Sequence, residues 1–139
     1  MQRPWNIPDA AVYSVVTWDS SGVVNMNVCT YATAISMKPK LYAIAVFENT
    51  KTLENIENGS DILLQLLSAE QYKLVNYLGK KSGKSFSKSA YLTKKDLLGT
   101  WQGYSVLKNI SAVMELKKIE MKLHGDHHLM ICNVEKFKS

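Results

Sequence analysis

A chain of 139 residues with a hydrophobic fraction of 46% fits one domain, 1–139, able to bury a core without disulfide or metal staples. Its formal net charge of +5 is concentrated in residues 79–95, which argues against the broad basic face of a nucleic-acid binder. No apolar run reaches the ~20 residues of a membrane-spanning helix, and Met1–Trp5 begins no long apolar signal segment, so a cytoplasmic protein with no membrane partner is expected.

Ala11 to Trp18, rich in Val, Tyr and Thr, predicts a strand. Asp19-Ser20-Ser21-Gly22 predicts a turn, and Val23 to Val28 the returning strand of a hairpin. Residues 29–36 are small and polar and read as extended chain leaving that strand, with Met37 to Lys40 as a loop. Leu41 to Phe47 is almost wholly apolar, which predicts a strand buried on both faces. Residues 50–59 predict a short helix, with Thr50 or Thr52 as N-cap and Gly59 at its end. Asp61 to Leu67 predicts the next buried strand. Ser68 and Gln71 have capping-box spacing and open a second helix whose apolar stripe is Leu74, Val75 and Leu78; Gly79 ends it.

Residues 79–95 are built largely of Gly, Ser and Lys, with Lys80, Lys81, Lys84, Lys88, Lys94 and Lys95 and no acid. This composition predicts an exposed, mobile loop. Residues 96–110 fit no single element. Ser111 to Leu123 alternates, with a slip at Lys117-Lys118 that predicts a β-bulge. His124-Gly125-Asp126 forms the next turn, and His127 to Phe137 the last strand. Six or seven strands, two short helices and antiparallel hairpins at both ends predict an all-β barrel rather than a parallel βαβ sheet. Neither a GxGxxG run nor a P-loop is present, which argues against a Rossmann domain. Cys29 and Cys132 lie in apolar stretches and read as a reduced, buried pair.

Four segments are candidates for chemistry. Asn25 to Thr33 offers backbone groups and the Thr30 and Thr33 hydroxyls to a planar heteroaromatic ligand; a half-buried strand with satisfied hydroxyls explains the same composition. Asn49-Thr50-Lys51-Thr52 follows a strand and opens a helix, where backbone N–H groups, hydroxyls and one Lys converge on an anion; ordinary N-capping is compatible with this. Lys80 to Lys84 either reaches a phosphate or is solvated. His124, His127 and His128 surround a turn, but neighbouring strand residues point to opposite faces, and no partner set with zinc spacing is visible. No metal is expected, and a histidine lining a pocket is the better reading. No Ser/His/Asp order or paired-carboxylate signature is visible, which is compatible with a cofactor carrying the reaction.

Several blocks occur in the order of one known family. Val23-Val24-Asn25-Met26-Asn27-Val28-Cys29-Thr30-Tyr31 is similar to a strand running into an Asn…Ser/Thr-aromatic stretch. Ile35-Ser36, Pro39 and Leu41 to Val46 are similar to a "VS…P-x-L-x-A-V" block. Lys51 to Ile56 is similar to a Thr-x-x-Asn-Ile helix start, and Asp61 to Leu67 to a "F-V-V-N-L" strand. Ser82-Gly83-Lys84 is similar to a Ser-Gly-Arg/Lys loop, and Gly125-Asp126-His127 to a Gly-Asp-His turn. Together they resemble the flavin reductase-like, FMN-binding split-barrel family across residues 11–137. Three positions depart from its pattern: Val28 where Pro is common, Lys38-Pro39-Lys40 for Asp-Pro-Pro, and Lys88-Ser89 for Lys-Phe.

The resemblance implies a six- to seven-stranded split β-barrel, working as a homodimer with FMN at the subunit interface. It implies that Thr30, Tyr31, Ala32 and Thr33 lie along the isoalloxazine ring, and that Asn27 is among the FMN-binding residues. Phe47, Asn49, Lys51 and Thr52 are implied beside the ribityl chain and phosphate, with Lys84 closing over the phosphate. His127 is implied near the nicotinamide or other small-molecule substrate. The implied activity is an NAD(P)H-dependent flavin reductase, with NADH or NADPH as donor. The rivals are a non-catalytic flavin-binding or storage protein on the same barrel, a pyridoxamine-phosphate-oxidase-like or haem-handling split barrel, and a small anion- or nucleic-acid-binding module using the Lys loop.

Overall fold

The structure is a computed structural model and describes Pro4, residues 9–59 and residues 61–139. Apart from Pro4, the Met1–Trp5 stretch weighed above lies outside the described residues. In chain order the strands are β1 (Tyr13–Trp18), β2 (Val24–Met26), β3 (Ala32–Met37), β4 (Lys40–Phe47), β5 (Asp61–Leu66), β6 (Leu98–Trp101), β7 (Tyr104–Leu107), β8 (Ala112–His124) and β9 (His127–Lys138). Helix α1 (Lys51–Glu57) lies between β4 and β5, and α2 (Lys88–Lys94) precedes β6.

Seven strands form one antiparallel sheet in the order β2-β1-β5-β8-β9-β4-β3, with β6 and β7 as a separate hairpin. Among the described residues no strand ladder joins the two ends of the sheet. Instead, the segment 27–31 crosses between them as a strap. Cys29 and Tyr13 exchange both backbone hydrogen bonds (2.7 and 2.8 Å), and the Ala45 amide donates to the Tyr31 carbonyl at 2.9 Å. This is the mostly β, antiparallel split-barrel arrangement that the sequence predicts.

Two apolar clusters flank the middle of the sheet. Val15, Ile62 and Leu64 point into one with Ile44, Val46, Leu116 and Met130, and α1 covers it with Leu53 and Ile56. Val16 and Leu63 point into the other, with Met26, Leu78, Leu92, Val106 and Leu107. Strands β1 and β5 are therefore buried on both faces. A period of two sends neighbouring residues to opposite sides, and here both sides are covered.

The structure departs from the sequence expectations at several elements. The β4 strand is not buried on both faces: Ile44 and Val46 are buried, but Phe47 is exposed and Leu41, Ala43 and Ala45 are only half-buried. The covering elements stop at the other half of the sheet. Residues 32–37, read as extended chain, form β3 paired with β4. The helix expected from Ser68 is a 3₁₀ stretch (Ala69–Leu74) followed by a wide π turn (Asn76–Lys80). Gln71 accepts from the Ser68 amide and donates to the Lys108 carbonyl, and Lys88 Nζ takes the Leu78 carbonyl at 2.7 Å. Gln71 and Lys88 thus satisfy backbone groups at the start and end of this stretch.

The expected loop at 79–95 is half ordered helix. Ser87 caps α2 by accepting from the Ala90 amide, Leu92 is fully buried, and the Tyr77 ring stacks on Tyr91 at 4.0 Å. The undecided stretch 96–110 contains the β6–β7 hairpin, whose turn residues Gln102 and Gly103 both have positive φ, as tight hairpin turns require. The bulge in β8 lies between Lys118 and Glu120, leaving Ile119 exposed, and a second irregularity falls between Glu115 and Leu116. Both cysteines are free and buried. No helix among the described residues is long and apolar enough to cross a membrane.

Candidate functional site

The strap, the end of β4, the start of α1 and the turn before α2 enclose a cavity of about 600 Å³. That lies within the ~300–1,000 Å³ range of small-molecule sites. Its two ends differ in chemistry.

One end is aromatic. The register pairs Phe47 with His127, and the Glu48 amide donates to the Asp126 carbonyl, so the β8–β9 turn is drawn against the end of β4. The His127 ring stands 5.2 Å from the rings of both Phe47 and Tyr31. Its Nδ1 is 2.6 Å from Asp126 Oδ1, which holds the imidazole in one orientation. A smaller apolar hollow of about 300 Å³ continues from Tyr31, Ala45 and His127 to His124 and Leu129.

The other end is polar and cationic. Thr50 caps α1: its Oγ1 accepts from the Leu53 amide at 3.2 Å and donates to the Phe47 carbonyl at 2.9 Å. Thr50 and not Thr52 is the cap, and Asn58, beside the expected Gly59, is the C-terminal cap. Thr52 is buried, and its Oγ1 accepts from Asn25 Nδ2 at 3.2 Å. Asn49 takes a positive φ of 58° at the turn into the helix, a conformation Asn tolerates better than most residues. Lys51 sits 3.5 Å from Glu54. Gly83 presses against this end: a Cβ there would overlap Asn25 Oδ1 and stand 2.8 Å from Lys51 Cβ. Gly79 is seated on Val28 in the same manner, with 3.2 Å to its Cβ.

Lys88 completes the polar end. Its side chain is 5% exposed, and its Nζ hydrogen bonds to the Leu78 carbonyl. No acid pairs with it among the ion pairs of the described residues. Burial pulls its ammonium down to about 8. A buried cation with a neutral partner favours an anion placed beside it.

The structure brings together most of the residues the sequence points to. Asn27, Thr30, Tyr31, Phe47, Asn49, Lys51, Thr52 and His127 all line the cavity. Asn27 also has a structural task, since its Oδ1 accepts from the Val15 amide at 2.7 Å. Three residues lie elsewhere. Ala32 packs against the core, Thr33 is exposed on β3 with its hydroxyl on the Ala34 carbonyl, and Lys84 lines a separate cavity. Sequence reasoning did not single out Lys88. Its distinction is tertiary burial, and its only local sign is its place just after the Ser87 cap. Among the described residues no group of His, Cys, Asp or Glu is arranged to hold a metal ion.

Comparison with known proteins agrees with the fold. An FMN-binding protein from Thermus thermophilus with bound 1-cyclohex-2-enone superposes with a TM-score of 0.84 at 19% identity, over 99% of this chain and 75% of that one. Flavoredoxin from Methanosarcina acetivorans gives 0.82 at 14% identity, over 100% and 74%. The styrene monooxygenase flavin reductase of Pseudomonas putida S12 gives 0.77 at 16% identity, over 94% and 79%. At these identities the likeness shows the fold. No curated protein sequence matches the chain. Residues 9–139 match the family described as "Flavin reductase like domain", and the chain belongs to that family.

Proposed function

We propose that the chain, as one domain, binds FMN in the 600 Å³ cavity and works as an NAD(P)H-dependent flavin reductase. The observation that carries the reading is the polarity of the cavity, aromatic at Tyr31, Phe47 and His127 and cationic at Lys51 and Lys88. A flavin mononucleotide has the same polarity, a planar ring joined by a polyol to a phosphate. The donor set fits it. Tyr31 and Phe47 offer ring faces, and the strap from Asn27 to Thr30 offers backbone and hydroxyl groups along one edge. Lys51, Ser82 and Lys88 surround the place for the phosphate. FMN, when bound, supplies the hydride-accepting and electron-passing chemistry that no side chain here provides.

The chain's own residues position and exclude. His127, held by Asp126, stands at the aromatic end where a nicotinamide or other small planar substrate would enter, and an apolar hollow borders that entry. Lys88 balances phosphate charge from a buried position, so FMN affinity should fall as pH rises past about 8 and the ammonium is lost.

The homodimer belongs to the same proposal. The outward row of β4 (Leu41, Ala43, Ala45, Phe47) is apolar and uncovered, it continues onto Leu129, and the aromatic end of the cavity borders it. A second copy seated there would bury both. The free, buried cysteines suit the reducing cytoplasm proposed as its compartment.

The test is a visible spectrum of the purified protein, with FMN added, followed by NADH and NADPH. Flavin absorbance that bleaches with either donor supports the reductase. Absorbance that bleaches only with dithionite supports the storage rival, and no flavin uptake rejects the reading.

A further inference from the structure

The cationic end of the cavity holds one lysine whose ammonium is seated outside it. Lys81 lines the cavity, yet its Nζ stands 4.8 Å from the centre of the Phe86 ring and 5.6 Å from that of Tyr77. Neither ring lines the cavity. Both distances fall within the ~6 Å over which a ring face attracts a cation. No acid pairs with Lys81 among the ion pairs of the described residues. By contrast, Lys51 sits beside Glu54, and Lys88 is fixed on the Leu78 carbonyl.

The aromatic seat is braced. Tyr77 belongs to the π turn and Phe86 to the turn before α2, and Tyr91 on α2 stacks on Tyr77 at 4.0 Å with 13° between the planes. The root of Lys81 is braced as well. Lys88 holds the Leu78 carbonyl just before it, and Gly79 is seated on Val28. The backbone of Lys81 is extended, with φ −97° and ψ 133°. A lysine carries its charge on a flexible four-carbon stem. The ammonium can therefore exchange between rings and cavity while the chain stays in place.

The two positions exclude each other and differ in strength. An exposed ring face holds a cation weakly. A phosphate holds it by a charge-assisted hydrogen bond, which is stronger. Molecules with Lys81 on the rings lack one cation at the phosphate end, so the ring seat lowers the apparent affinity for a phosphate.

We propose that Lys81 is a parked arm: Tyr77 and Phe86 hold its ammonium off the cavity, and the phosphate of an entering ligand draws it in. The assignment rests on the flavin reading of the cavity. It makes the aromatic seat a brake on phosphate binding, although neither ring touches the ligand.

Calorimetric titration with FMN and with riboflavin, which lacks the phosphate, tests it on the unmodified protein, Phe86→Leu, Lys81→Met and the double variant. Phe86→Leu should tighten FMN about threefold, the weight of one exposed cation–ring contact. Lys81→Met should weaken FMN about fivefold. In the Lys81→Met background, Phe86→Leu should leave FMN unchanged, because the two residues act through one contact. Riboflavin should not distinguish the four proteins, and a cooperative unfolding transition shows that each is folded. Proton NMR of the unmodified protein gives a second readout. The ε-methylene protons of Lys81 should be shifted upfield by the rings and lose that shift as FMN is added. Unchanged or weaker FMN binding in Phe86→Leu, tightening that survives Lys81→Met, equal effects on riboflavin, or Lys81 protons unmoved by FMN overturns the parked arm and leaves the flavin reading standing. Failure of the unmodified protein to take up either flavin overturns both.

Discussion

Strands β4 and β5 are written in nearly the same alphabet, Leu41-Tyr42-Ala43-Ile44-Ala45-Val46-Phe47 against Ile62-Leu63-Leu64-Gln65-Leu66, yet they sit in different surroundings. Leu63 and Leu64 face opposite sides and are both buried, in two separate apolar clusters. Of β4 only Ile44 and Val46 are buried. The outward row is small and apolar, with an exposed Phe at its end. Sequence alone does not separate these cases, because a continuous apolar run specifies two apolar faces and not what covers them. The cover on β5 is intramolecular: α1 on one side, α2 and the β6–β7 hairpin on the other. For β4 the proposed cover is a second copy of the chain.

Substitutions on the two strands separate the readings. Leu63→Ala and Leu64→Ala should each cost about 3 kcal/mol, the usual range for a fully buried leucine, read by denaturant unfolding. Near-equal losses would confirm that both faces of β5 are core. Ile44→Ala should cost a similar amount, whereas Ala43→Ser on the outward row should cost under about 1 kcal/mol. A large loss at Ala43 in a monomeric sample would break the contrast.

Lys88 tests the covered side through pH. Its folded value of about 8 lies below the ordinary 10.5, so between these limits the unfolded chain binds more protons and this group's contribution to stability rises with pH. The cost of burying the ammonium is fully present below pH 8. The stability of the native protein relative to Lys88→Met should therefore rise by about 2 kcal/mol from pH 7 to pH 10. A flat difference would show that Lys88 is well solvated.

The open side is tested by Ala43→Arg, which puts a charge in the middle of the outward row. Light scattering should show the mass of the protein halved, with the fold changed by less than about 1 kcal/mol. An unmodified protein that is already monomeric rejects the dimer. The smallest effect concerns the thiols. Burial pushes Cys29 up to about 11 and Cys132 up to about 12. Both should react with a thiol reagent at neutral pH only as fast as the protein opens.

The legible parts of the sequence were those with local causes. The alternation of β8 and β9, the Asp19–Gly22 turn and the Thr50 cap are written within a few residues of where they act. Helix α2 was hidden, because its burial rests on Leu92, Tyr91 and one lysine amid a polar composition. The β6–β7 hairpin was hidden because Leu98-Gly99-Thr100-Trp101 carries no clear alternation. At the site, the residues of the strap and of the β4–α1 turn were legible through resemblance. Lys88 was not, since its place just after the Ser87 cap is the one local mark that separates the lysine that is buried from five in the same stretch that are not.

The strap at residues 27–31 has two tasks at once. It joins the ends of the sheet through Tyr13 and Ala45, and it forms a wall of the cavity. A ligand that rests on the strap therefore also latches the barrel. Amide exchange at Cys29 and Ala45 reports the opening of that latch. Occupancy of the cavity should slow exchange at these two amides well before it affects the β5 amides, which the double-sided core already protects.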